Sequence, residues 1–125
     1  MGNISNVIPV PTSIESNFFR LWLEFLKPLH KLTDRETEVL AAFLKHRYTL
    51  SKVINDDELL DKVVMSEDTK RAIRKECNIT QTYFQVIMTK YKKNKIIIDG
   101  KVNPKLIPKI SEGAKNLHLL VTFSL

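Results

Sequence analysis

Residues 66–107 read SEDTKRAIRKECNITQTYFQVIMTKYKKNKIIIDGKVNPKLI, and the fold turns on how this stretch divides. Ser66 is a candidate N-cap, with Glu67 and Asp68 in the first turn of the helix it opens and Arg74 and Lys75 in the last. That order of charge complements the helix dipole at both ends. Asn78 follows, a residue that tolerates the left-handed conformation in which helices stop. Thr80 caps a second helix, and Ile79 before it is placed to staple onto Phe84. Phe84, Ile87, Met88 and Tyr91 recur at helical spacing and predict the buried face. Gln81, Thr82, Gln85, Thr89, Lys92 and Lys93 fall mostly away from it. Asn94 is expected to end this helix. Ile96, Ile97 and Ile98 then lead into Asp99-Gly100, a two-residue hairpin signal, with Lys101 to Ile107 as the returning strand.

This arrangement resembles the winged helix-turn-helix, a DNA-binding superfamily. Thr80, Phe84, Met88 and Tyr91 fall where such recognition helices carry a capping hydroxyl, an early core residue and two late ones. Asn94-Lys95-Ile96-Ile97 occupies the place of the usual glycine, apolar residue and first wing strand. Two positions depart from the pattern. Arg74 stands where the first helix usually has a small residue, and Lys95 replaces an apolar residue at the wing entry. The resemblance covers about a third of the chain as residue types and spacings. It implies a helix-turn-helix over 66–93 and a wing over 95–107.

Outward from that stretch, the charge is uneven. Residues 1–66 hold eight basic and nine acidic side chains, whereas residues 67–125 hold twelve basic and five acidic. Seven lysines stand in 90–109 beside a single acid, Asp99. Charge alone fits a solvated lysine face as well as an anionic partner, and the helix-and-hairpin context decides for nucleic acid. At 125 residues the chain is long enough to bury a core as one domain. No apolar run approaches a membrane span, and no signal peptide is read at the N-terminus. One cysteine, Cys77, excludes an intramolecular disulfide framework and is expected to be a small buried residue, so the setting expected is a reducing cytoplasm.

The remaining elements frame a core. Residues 1–12 read as an extended arm with two prolines. An amphipathic helix is expected over 14–28, with Ile14, Phe18, Leu21, Trp22, Phe25, Leu26 and Leu29 on its apolar stripe and Phe19 and Leu23 widening it. Pro28 is expected to end it. Thr33-Asp34-Arg35-Glu36 is a capping box opening a helix over 34–51, with Val39, Leu40, Phe43, Leu44 and Tyr48 on one side. The string from Leu32 to Leu40 resembles the L-T-x-R-E-x-E-V-L opening of LuxR-type regulators and of sigma-factor region 4. In those families the helix-turn-helix follows almost at once, whereas here some twenty-five residues intervene, so we read it as helix-start chemistry. A short helix from Asn55 to Met65 carries Asp56, Asp57 and Glu58 in its first turn, read as dipole complementation. Residues 117–125 alternate as a strand expected to pair with the wing or with a neighbouring subunit.

Catalytic chemistry is not called for. Gly2, Gly100 and Gly113 are isolated, and His30, His46 and His118 lie on separate elements without metal-ligand spacing. Cys77 has no sequence neighbour that would activate it. We therefore expect no enzyme, no cofactor and no metal.

The expected fold is α+β and mostly helical, a winged helix-turn-helix-like core with a β-hairpin wing and a C-terminal strand, residues 13–125 forming one domain. The expected function is a small DNA-binding protein, a transcriptional regulator, with helix 80–93 in a major groove. Gln81, Thr82, Gln85 and Thr89 would face base edges, while Lys90, Lys92, Lys93, Lys95, Lys101 and Lys105 would contact phosphates. The alternative is a structural protein of a bacteriophage particle, a ring or adaptor component that reuses the fold. In overall tone the chain is similar to small proteins of bacterial viruses, and its arm, over-apolar first helix and unpaired terminal strands suit assembly with copies of itself or other proteins.

Overall fold

Four helix starts carry a residue able to satisfy free amides, and the computed structural model, which describes residues 7–10, 18–108 and 117–120, begins helices at those points. Thr33 caps α3 (Asp34–Ser51) with both arms of the capping box present. Asp56 caps α4 (Asp57–Val64), Ser66 caps α5 (Glu67–Glu76) and Thr80 caps α6 (Gln81–Lys93). The described chain is mostly helical, with two small antiparallel sheets, which makes the fold α+β. Among the described residues no helix is long and apolar enough to cross a membrane.

The helix expected over 14–28 is found from Phe18, and its expected start lies outside the described residues. It is also divided. α1 (Phe18–Phe25) stops at Leu26, and a single turn, α2 (Lys27–His30), follows with Pro28 in its first turn. Proline is tolerated there because its missing N–H has no helical partner to lose. The helix therefore ends ahead of Pro28 rather than at it, and Lys31 closes α2 at φ 53°. The His30 ring clamps the break: Nε2 lies 2.7 Å from the Leu23 carbonyl, and Nδ1 accepts from the Leu32 amide at 3.0 Å.

α3 is the central helix, packed against α1, α4 and α5. Val39, Leu40, Phe43 and Leu44 are buried with Leu60 and Val64 of α4, Ile73 of α5, and Phe84, Ile87, Met88 and Tyr91 of α6. Phe43 stacks on Phe84 with ring centroids 6.1 Å apart. On α1 the buried residues are Phe18, Phe19, Trp22 and Leu23, while Leu21 and Phe25 are exposed, as is Leu29 of α2. The apolar stripe is thus wider than the core that covers it, and the row Leu21, Phe25, Leu29 is left outside.

β2 (Ile97–Ile98) and β3 (Lys101–Val102) form the hairpin, with Asp99 at φ 55° and Gly100 at φ 76° in its turn. The return strand ends at Val102 rather than running to Ile107. Asn103 accepts from the Lys105 amide through its side chain, and Pro104–Leu106 winds into a 3-10 turn. An Asn-Pro pair is turn-initiating chemistry and proline cannot donate to a ladder, so the strand has reason to stop there. Trp22 Nε1 donates to the Leu106 carbonyl at 2.7 Å, fixing this turn to α1.

The second sheet corrects the expectations for both chain ends. β1 (Val7–Val10) pairs antiparallel with β4 (Leu117–Leu120), Val7 opposite Leu120 and Val10 opposite Leu117. The terminal strand therefore pairs with part of the expected arm, not with the hairpin. The rest of 1–12 and of 117–125 lies outside the described residues.

Candidate nucleic-acid interface

The chain closes α5 and opens α6 across the four residues Cys77 to Thr80. Asn78 sits at φ 53°, its amide donating to the Lys75 carbonyl at 3.2 Å while the Ile79 amide donates to Arg74 at 3.0 Å. These two bonds are the paired closure of a Schellman motif with asparagine in the left-handed position. The same motif ends α6. The Ile96 amide donates to Tyr91 at 2.8 Å and the Lys95 amide to Lys92 at 3.4 Å. The left-handed residue here is Lys95, at φ 60°, and not Asn94. Asn103 Nδ2 also donates to the Lys95 carbonyl at 3.0 Å, which ties the hairpin to the helix end.

The first turn of α3 holds this unit from behind. Arg35 Nη2 donates to the Cys77 carbonyl at 2.5 Å and to that of Asn78 at 3.1 Å. Glu36 lies 2.8 Å from the Lys90 ammonium, and the Tyr91 hydroxyl donates to the Glu36 carbonyl. Burial pushes the Glu36 carboxyl up, but Lys90 and the hydrogen bonds from Thr33 outweigh it and hold it below the usual glutamate range. Arg74, where a small residue would let the helices cross closely, places its guanidinium 5.4 Å from the centre of the Phe84 ring and donates to Glu67 at 2.8 Å. The bulk of arginine is thus accommodated by stacking.

With Phe84, Ile87, Met88 and Tyr91 buried, the opposite side of α6 faces outward. Gln81, Thr82, Gln85, Val86 and Thr89 line one shallow concave strip there. All four residues expected to face bases are exposed and lie together. Of the six expected phosphate contacts, Lys92, Lys93 and Lys95 are exposed at the end of α6, Lys105 is exposed on the 3-10 turn, and Lys101 is half-buried on β3. None of these five forms an ion pair with an acid among the described residues. Lys90 departs from the expectation, because it turns inward to Glu36.

Sequence reasoning passed over two exposed residues of α6: Val86, which lines this strip and is 60% exposed, and Tyr83, which lies outside it and is 41% exposed. The signal was available. Neither belongs to the series 84, 87, 88, 91, so neither is on the core side.

No family model matches the chain, and no curated protein or solved structure matches it either.

A second concave region among the described residues lies between α1, α3 and the end of α5, lined by Arg20, Glu38, Lys45, Glu76 and Cys77 among others. Its charges are already engaged: Lys45 lies 3.2 Å and His46 Nε2 3.0 Å from Glu76, and Arg35 2.8 Å from Glu38. Burial pushes the Cys77 thiol up to about 11, so it is a packing residue rather than a nucleophile. Among the described residues no group of three or more histidine, cysteine, aspartate or glutamate side chains could hold a metal ion.

Proposed function

We propose that the chain is a small duplex-DNA-binding protein of winged helix-turn-helix type, acting as a transcriptional regulator. The observation that carries this reading is the outer side of α6: a concave strip of exposed amides and hydroxyls beside exposed lysines without acidic partners. Amides and hydroxyls hydrogen-bond base edges, and glutamine suits adenine in particular. Lysines at the helix end also complement the dipole of α6, but a dipole has no use for Lys105, which is on a different element. In this reading β2, β3 and their turn are the wing, and α5 supports α6.

The test is a salt titration on duplex DNA. Log affinity should fall against log salt with a slope of roughly −0.9 for each phosphate contact. Replacing Gln81 and Gln85 with Ala should relax sequence preference while leaving that slope in place. A protein with no sequence preference and a flat salt response would sink the reading.

The row Leu21, Phe25 and Leu29 favours a second reading, a virion structural component that assembles through this face. In that case the purified protein should elute as an oligomer, and Leu29→Glu should dissociate it. A monomer at all concentrations rejects this reading.

A further inference from the structure

Val86 stands at the centre of the outward side of α6. Thr82, Gln85, Val86 and Thr89 follow the i, i+3, i+4, i+7 spacing of one helix face, and all line the same strip. Single apolar residues on a surface need no special account. This one has two features that set it apart. Its surroundings on the strip are amides and hydroxyls, so no apolar neighbour there shares its burial. It is also β-branched, and alanine, glutamate or lysine would support an exposed helix position better. Local stability therefore does not ask for valine at 86. Thr89 commits its hydroxyl to the Gln85 carbonyl at 2.9 Å, which leaves the Gln85 side-chain amide and the Val86 methyls as the paired features of the strip's centre.

We infer that Val86 is a specificity-determining residue that packs against the 5-methyl group of a thymine in the major groove, next to the base pair read by Gln85. The inference rests on the duplex-DNA reading above. The chemistry follows from the groove itself. Thymine is the only base that presents a methyl there, and an aliphatic side chain on an inserted helix recognises it by excluding water. The unpaired lysines at the end of α6 supply the charge complementarity that would hold a duplex against this face.

The experiment uses the full chain and a pool of random duplexes. Sites selected by the wild-type protein are resynthesised with uracil in place of each thymine, which deletes only the methyl. At one thymine this should weaken wild-type binding about fourfold, the factor corresponding to about 0.8 kcal/mol for one buried methyl group. Val86→Ala should bind the thymine and uracil versions of that site equally. The substitution is on an exposed helix position and favours helix, so thermal melting should show it folded. If selection gives a preferred site but the variant discriminates thymine from uracil as wild type does, the inference fails while the DNA-binding reading stands. If selection gives no preferred site, both fail.

Discussion

The start of α3 and the outer end of α6 are both crowded with charge, and they use it in opposite ways. At the start of α3 the side chains are matched: Arg35 with Glu38 and two backbone carbonyls, Glu36 with Lys90 and the Thr33 amide. At the end of α6 and along the hairpin, Lys92, Lys93, Lys95, Lys101 and Lys105 form no ion pair among the described residues. A matched charge whose partners are distant in sequence fixes the fold. Unmatched charges of one sign repel one another and gain only from an anion brought from outside.

The largest expected effect comes from removing the unmatched set. Replacing Lys92, Lys93 and Lys101 with Ala should flatten the salt slope of duplex binding by about two to three units and weaken binding roughly a hundredfold near 0.1 M salt. Stability should change by less than about 0.5 kcal/mol. A slope that stays as steep as wild type would mean these lysines meet no phosphate.

Removing a matched charge should do the reverse. Glu36→Ala loses a capping arm and the Lys90 pair, and should lower unfolding stability by about 2 kcal/mol with the salt slope retained. The acid dependence has a definite sign. Because the folded-state Glu36 carboxyl is held below the usual range, its contribution is present above the unfolded pKa and is lost as pH falls through the folded value. Urea midpoints of wild type and Glu36→Gln should therefore converge as pH falls below about 4.3. Curves that stay parallel down to pH 3 would remove the ion pair from the account.

The smallest effect concerns the left-handed residues that close α5 and α6. Lys95→Gly should raise stability by about 0.5 kcal/mol, since glycine takes positive φ without steric cost. Asn78→Gly should move it less, asparagine being tolerant of that region, and Asn78→Val should lose roughly 1–2 kcal/mol. Denaturant midpoints rank the three variants, and valine tolerated as well as glycine would contradict the turn.

What the chain disclosed before folding divides along the same line. Caps at Thr33, Ser66 and Thr80, the left-handed Asn78 and the Asp99-Gly100 turn were legible because their chemistry closes within a few residues. The buried side of α6 was legible from its period, and the four polar residues opposite followed by subtraction. The pairing of Lys90 with Glu36 was not legible because the two stand 54 residues apart, a separation no local pattern encodes. The pairing of residues 7–10 with 117–120 was missed for the same reason. Asn94 ends α6 as expected, and the positive φ that closes the motif falls one residue later, on Lys95, a position the sequence did not flag.

One turn of α3 grips the connection ahead of α6 and the last turns of α6, through Arg35 on the Cys77 and Asn78 carbonyls and through Glu36 on Lys90 and Tyr91. The helix pair is therefore not a portable cassette. Cutting the chain ahead of Ser66 would leave the Ser66 and Thr80 caps and the hairpin signal in place, yet remove both grips together. What would be lost is the angle at which α6 is mounted, and with it the aim of the surface it presents.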